Sequence, residues 1–259
     1  TDDVVSYIVN PDKKDINSVS SVYEMVRRDK DSFWFTSPIG LRIFNTKTNQ
    51  VESIGMVSGD IDAELFNEGV YGIHQDKDGV LWMITQSGFY KIDANTNQVT
   101  AVDTLNKSVD PALAYKFGEA PDGKIFLATA GQLWQYDAGK ESLKLLYKLT
   151  PNQSQSFIAP ESWVIDEHDV LWVSLAGQGL VGIDKDTGEE IYNYTEANVL
   201  PSNYVYGLYK GDDGNIWMSS HTGLLRFDPD SHHFETFNYQ DGVTANEFNG
   251  WAYERTRNG

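Results

Sequence analysis

The chain has 259 residues, 40% of them hydrophobic, enough to bury at least one large core and too apolar for a disordered segment. Lys and Arg total 20 against 38 Asp and Glu, and the net charge of -18 repels nucleic acid phosphates and anionic lipid headgroups, excluding both as partners. Without cysteine there is no disulfide, thiolate metal site or cysteine nucleophile, and no apolar run nears the roughly 18 residues that cross a bilayer.

The polar start "TDDVVSYIVNPDKKD" has no signal-peptide pattern, so either the protein is cytosolic or its targeting and membrane segments lie outside this stretch. Its first residues match the later segments "TNQVESI" and "TNQVTAV", which reads 1–10 as an orphan outermost strand. Five similar segments follow: "DKDSFWFTSPIGLRIFN", "DKDGVLWMITQSGFYKID", "PDGKIFLATAGQLWQYD", "EHDVLWVSLAGQGLVGID" and "DDGNIWMSSHTGLLRFD". Their key aromatics are Trp34, Trp82, Phe126, Trp172 and Trp217, at intervals of 48, 44, 46 and 45 residues. A fixed period in the forties with short β patterns marks a radially repeated sheet.

In each copy the aromatic is followed by Gly40-Leu41, Gly88-Phe89, Gln132-Leu133, Gly179-Leu180 or Gly223-Leu224, with Gln132 the one departure. The pattern then ends in Asn45, Asp93, Asp137, Asp184 or Asp228, before turn-formers and a last short run such as "NQVESI", "NQVTAV" or "HHFETF". That makes four strands per repeat. A run such as Val80 to Ile84 is apolar throughout, as expected of a strand covered on both faces, whereas the last strand alternates and should see water on one side. The Asp-Gly pairs at 78/79, 122/123 and 213/214 suit tight hairpin turns.

The expected fold is an all-β propeller of four-stranded blades. Five complete blades fall at about 22–55, 70–103, 114–147, 161–194 and 205–238, flanked by the orphan strand at 1–10 and an orphan inner strand at 248–256. This reads as a fragment of a larger ring; alternatively the two orphans meet and close a small ring with an incomplete sixth blade.

An aromatic residue opens each innermost strand, at Tyr23, Tyr71, Tyr115 and Tyr206, eleven positions before the key residue, and at Trp163, nine before it. These rings either pack between blades or form a stacking surface for a sugar or another flat ligand near the axis. The hairpins between second and third strands open on the same face and bring Ser37, Gln86, Ser87, Gln178, His221 and Thr222 toward its mouth. The long connections "SIGMVSGDIDAELFNEG" and "YKLTPNQSQSFIAPES" exceed what joining blades requires.

Histidines stand at 74, 168, 221, 232 and 233, none with zinc spacing. Only His221 falls on the presumed ligand face, and no second blade supplies it an obvious catalytic partner, so it reads as a hydrogen-bonding residue. "DKDTGEE", Asp184 to Glu190, comes nearest to a calcium loop but reads as a turn. Neither phosphate loop nor nucleophile elbow is present, and no metal, cofactor or catalytic residue is expected.

The recurring D-x-D-G-x-L-W-x-x-T-x-x-G-L-x-x-x-D pattern, clearest at Asp76 to Asp93 and Asp212 to Asp228, resembles the two-component regulator propeller repeat over nearly the whole chain. The ending "DGVTANEFNGWAY" resembles that family's last repeat. The resemblance implies a seven-bladed, periplasmic sensor domain ahead of a membrane helix and a kinase or diguanylate cyclase module, binding a small molecule or oligosaccharide without catalysis and pairing into a homodimer through the parent sensor. Streptogramin lyases, whose repeats share the Asp-Gly turn and tryptophan strand, imply the rival enzyme reading. A protein-binding scaffold is the third.

Overall fold

The computed structural model describes residues 22–38, 40–53, 57–58, 69–93, 95–149, 160–175, 177–243 and 247–248. The strand expected at 1–10 lies outside them, as does that at 248–256 apart from Phe248. Blade 1 comprises β1 (Met25–Arg27), β2 (Ser32–Ser37), β3 (Gly40–Asn45) and β4 (Gln50–Ser53). Blade 2 comprises β5 (Val57–Ser58), β6 (Val70–Gln75), β7 (Val80–Thr85), β8 (Phe89–Asp93) and β9 (Gln98–Ala101); the helix α1 (Asp103–Ser108) follows it. Blade 3 is β10 (Ala114–Glu119), β11 (Ile125–Thr129), β12 (Gln132–Asp137) and β13 (Ser142–Lys148). Blade 4 is β14 (Pro160–Ile165), β15 (Val170–Leu175), β16 (Gly179–Asp184) and β17 (Glu190–Tyr194). Blade 5 is β18 (Val205–Lys210), β19 (Ile216–Ser220), β20 (Gly223–Asp228) and β21 (His233–Phe237). Apart from β5, the strands of each blade form a meander in chain order, the arrangement of a β-propeller. Contacts divide the chain into two compact units, Thr1–Leu127 with Gln135–Leu143 and Ala128–Trp134 with Lys144–Gly259.

The second strands are buried nearly end to end and the fourth strands largely exposed, as their apolar and alternating patterns require. Four of the five key aromatics are buried, and Trp217 is only half-buried. In the first unit, Trp34, Leu41 and Ile43 pack with Val70, Ile73, Leu81 and Met83 into one core between neighbouring blades. In the second, Trp172 and Leu180 pack with Leu208, Met218, Leu225 and Phe227.

Tryptophan recurs with aspartate six residues before it for a specific reason. The Trp82 indole N–H donates to Asp76 Oδ2 at 2.8 Å, and Trp172 donates to Asp166 Oδ2 at 2.7 Å. The other oxygen of each carboxylate holds the hairpin turn: Asp76 Oδ1 accepts from the amides of Asp78 and Val80, Asp166 Oδ1 from those of His168 and Val170. One side chain thus satisfies a turn and a buried indole together. Blade 3 has Ala120 there and the key residue Phe126, with no N–H to satisfy. In blade 1 the position is Arg28, whose guanidinium lies 4.9 Å from the Trp34 ring centroid, and the Trp34 indole N–H is buried without an acceptor. We expect Asp76→Ala to cost about 2 kcal/mol in the native protein and about 1 kcal/mol less in a Trp82→Phe background. Equal costs in urea unfolding of the two backgrounds would show that the indole bond is idle.

The other turns also have a fixed chemistry. Asn45, Asp93, Asp137, Asp184 and Asp228 each accept at Oδ1 from the backbone N–H groups two and three residues on, which explains the acidic or amide residue ending every copy. Three residues after the key aromatic, Ser37, Thr85, Thr129 and Ser220 donate their hydroxyls to the carbonyls of Gly40, Gly88, Gln132 and Gly223, closing the second hairpin. At Gly223 the backbone has φ +124° and an added Cβ would lie 2.4 Å from the Phe237 carbonyl oxygen, so no other residue fits there.

Ten residues before the key aromatic, a side chain reaches the next blade. Glu24 Oε2 accepts from the Ile73 N–H at 2.8 Å and Ser162 Oγ from the Leu208 N–H at 3.0 Å. The two donors are themselves equivalent positions, so this is a repeated tie between innermost strands.

Two elements depart from the expected pattern. β5 adds a fifth, parallel strand to β9, with Val57 opposite Gln98, and covers an otherwise open edge. In α1 the Leu105 side chain is buried while Asn106 acts as a strand partner, its Oδ1 accepting from the Phe89 N–H and its Nδ2 donating to the Phe89 carbonyl.

Candidate functional site

The first residues of the innermost strands are where the regular ladder breaks. The β6–β7 register shifts between Val70 and Gly72, leaving Tyr71 as the extra residue; β14 shifts between Pro160 and Ser162, and β18 between Val205 and Leu208. A bulge turns its extra side chain out of the packed face. Accordingly Tyr71 is 40% exposed, and its ring centroid lies 6.4 Å from that of Tyr23, itself 45% exposed. Tyr115 is half-buried on β10, and its carbonyl oxygen lies 2.8 Å from where a Cβ on Gly72 would sit, so the glycine lets β6 and β10 approach. Gln86 and Ser87 project from the β7–β8 hairpin into solvent. Ser37 does not: it is wholly buried, its hydroxyl given to the Gly40 carbonyl, because its hairpin needs that closure.

In the second unit the register separates Trp163 from the tyrosines. Trp163 pairs with Val173, and the bulge position belongs to Glu161. Trp163 and Tyr206 are half-buried, His221 and Thr222 exposed, and Gln178 half-buried with its backbone N–H donating to the Leu175 carbonyl. Thr222 Oγ1 lies 3.2 Å from Ser220 Oγ, within the hairpin closure.

His221 has two partners that its sequence neighbourhood did not signal. Its backbone N–H donates to the Tyr204 carbonyl and its ring meets the Tyr204 ring edge-on at 5.3 Å. Its Nε2 lies 2.6 Å from Glu247 Oε1, from the segment beyond blade 5. Tyr204 is 42% exposed. Burial first, then the nearby Tyr204, Glu247 and Glu161, raise the Tyr206 hydroxyl above the ordinary tyrosine value. Tyr204, His221 and Glu247 are therefore joined by direct contacts.

The remaining histidines have structural surroundings. His232 Nδ1 is 2.8 Å from the Tyr194 hydroxyl, with its ring against Tyr192. His168 Nε2 meets Asp230 at 2.5 Å, beside a cavity of about 260 Å³ lined by Asp166, Asp213 and Asp228 at the opposite, turn-bearing ends of blades 4 and 5. Asp184 Oδ1 is occupied by the amides of Asp186 and Thr187 and by the Thr187 hydroxyl. Among the described residues no three His, Asp or Glu side chains are grouped to hold a metal, and no helix is long and apolar enough to cross a membrane.

A profile of the two component regulator propeller family matches residues 64–87 and 199–222. No curated protein matches the chain. Among solved structures it is similar to the extracellular domain assigned to the hybrid two component system BT4673 from B. thetaiotaomicron, at 18% identity and TM-score 0.68, covering 91% of this chain and 30% of that one. The extracellular domain assigned to hybrid system BT3049 of the same organism gives 16% identity and TM-score 0.51, covering 90% of this chain and 36% of that one. A catalytically inactive virginiamycin B lyase from Staphylococcus aureus, solved with quinupristin, gives 14% identity and TM-score 0.59, covering 83% of this chain and 69% of that one. These likenesses establish the propeller fold; the chain spans about a third of the two-component sensor domains it resembles.

Proposed function

We propose that this chain, built of two-component regulator propeller repeats, is the extracytoplasmic ligand-sensing part of a bacterial signal-transduction protein. It binds a small molecule or glycan on the face where the innermost strands begin, and it is not itself an enzyme. The observation that carries this reading is the exposure of aromatic rings where innermost strands begin: in the first unit Tyr71, at the β6 bulge, lies 6.4 Å from Tyr23, and in the second Tyr204 stands exposed just before the β18 bulge that holds the half-buried Tyr206. Rings kept half in water at such a site offer stacking area to a flat ligand and a hydroxyl to orient it. The likeness to extracellular two-component domains supports the placement and the role.

The test is a thermal-shift screen of the protein against neutral, amino and acidic saccharides. Tyr71→Ala and Tyr206→Ala are expected to keep the native circular dichroism spectrum and to lose the shift given by any saccharide that binds the native protein. Loss of folding in both variants would assign the rings to the core instead.

One arrangement favours a second reading, lyase chemistry: a histidine and a carboxylate, His221 and Glu247, meet on this face, and streptogramin B lyases share the fold. Incubation with a cyclic depsipeptide and a divalent metal decides it. Ring opening that disappears in His221→Ala would replace sensing by catalysis, and an intact depsipeptide retires the enzyme.

A further inference from the structure

We infer that the turn-bearing end of blade 1 holds a further binding site, for a small carboxylate anion, in the place where blades 2 and 4 carry an aspartate of their own. The site lies at the end of the blade opposite the ring-bearing face and stands independently of the function proposed there.

In blades 2 and 4 the indole N–H of the key tryptophan meets a carboxylate oxygen at 2.8 and 2.7 Å, from the aspartate six residues before it. Blade 1 keeps the tryptophan and the strand register, with Val26 opposite Trp34 as His74 is opposite Trp82. Its sixth residue back, however, is Arg28. Asp29 stands one residue late and accepts instead from the Ser32 hydroxyl and the Asp31 N–H. Trp34 is wholly buried, and its Nε1 has no acceptor. A buried donor left unpaired costs about 1–3 kcal/mol, and an acceptor brought from outside recovers it.

There is room for one. A cavity of about 340 Å³ opens at this turn, with Arg28, Ser32, Ile43 and Asn45 in its wall. Ile43 is the residue directly opposite Trp34 on β3, and the Arg28 guanidinium lies 4.9 Å from the Trp34 ring centroid, so the cavity adjoins the buried indole.

The charge around it suits an anion. Arg27, Arg28, Lys30 and Lys47 gather at this end against Asp29 and Asp31. Lys47 and Lys30 lie 2.7 and 3.9 Å from Asp31, and Arg27 donates to the carbonyls of Asp29 and Lys30. Asp29 feels the Arg28 charge, but its oxygens are already taken by the turn. Among the described residues Arg28 forms no salt bridge, and its contact is with the Trp34 ring face. Such a contact is worth about 0.5–1 kcal/mol, less than a charge-assisted bond to a carboxylate, so the guanidinium can lift to share an anion with the indole N–H. A carboxylate fits this pair of donors because it offers one oxygen to each.

The experiment follows the indole N–H resonances of the 15N-labelled protein as sodium acetate is added at constant ionic strength, with acetamide and sodium chloride as controls. Of the signals of the seven tryptophans, the one missing in Trp34→Phe is expected to move downfield with acetate, approaching saturation by about 100 mM, and to stay in place with acetamide or chloride. Arg28→Met keeps a side chain over the ring without the charge and should bind acetate about tenfold more weakly. Arg28→Asp restores the aspartate of blades 2 and 4, and its Trp34 signal should lie downfield with no acetate present. A Trp34 signal that ignores acetate or follows chloride equally, or an Arg28→Met variant that binds acetate as well as the native protein, overturns the inference. An unshifted signal in folded Arg28→Asp overturns it too, since the indole would then not point at this position.

Discussion

Replacing Trp172 by alanine is expected to destabilise the second unit by about 4 kcal/mol, the range for deleting a large buried ring. The side chain is fully buried, lies edge-on to Phe227 at 4.7 Å and stacks on Tyr192 and Tyr194 at 5.4 and 5.9 Å. Its loss opens a cavity in this aromatic cluster and removes the indole donor from Asp166, a buried carboxylate. Trp172→Phe keeps most of the ring volume and should cost about 1–3 kcal/mol, the share of the missing hydrogen bond. Trp217→Ala is the contrast. That ring is half-buried, rests on Phe237 at 5.5 Å and has Gly211 in place of the aspartate, so its loss should cost about 2 kcal/mol. The ordering by urea midpoint, Trp172→Ala well below Trp217→Ala, is the measurable claim. Equal losses would mean that the repeated tryptophans are held by something other than burial and the aspartate bond.

That contrast shows what the sequence could reveal. The second strands, the turns at Asn45, Asp93, Asp137, Asp184 and Asp228, and the meander order were legible because each depends on residues within a few positions of one another. The hydroxyl at Ser37 was legible as a recurring polar position but misread as ligand-facing, since the carbonyl that buries it is set by backbone geometry. Eleven positions before Trp172 stands Glu161, which the ladder sets at the bulge equivalent to that of Tyr71, whereas the aromatic pattern selects Trp163, nine before, which pairs regularly with Val173. Glu247 is 26 residues from His221 and lies beyond the last blade strand, so no local pattern pairs them. The parallel strand β5 and the helix α1 occur in connections, where the repeat imposes nothing.

The other large effect is a pH dependence carried by His74. It lies on β6 opposite Trp82, and its Nε2 is buried without a hydrogen-bond partner. Burial pushes the imidazole down to about 4; Asp76 acts in the opposite direction and Lys116 in the same one. In the unfolded chain the group titrates near 6.5. Between these values the unfolded chain holds a proton that the native protein does not, so stability rises with pH across the window. The contribution is complete above about pH 6.5 and is lost as the pH falls toward 4, by about 2 kcal/mol at pH 5 and about 3 kcal/mol at pH 4. His168 runs the other way, since its hydrogen bond to Asp230 raises its pKa and its contribution fades as pH rises. The native protein alone therefore shows a mixture. His74→Gln, neutral at every pH, separates the two, because His168 and the turn carboxylates are common to both proteins and cancel in the difference. Urea unfolding at pH 7.5, 6 and 5 should show the native protein losing stability relative to His74→Gln only below about pH 6.5. Parallel stability curves would mean that His74 finds water or an acceptor in the folded state, and that the strand opposite Trp82 is less tightly closed than its burial requires.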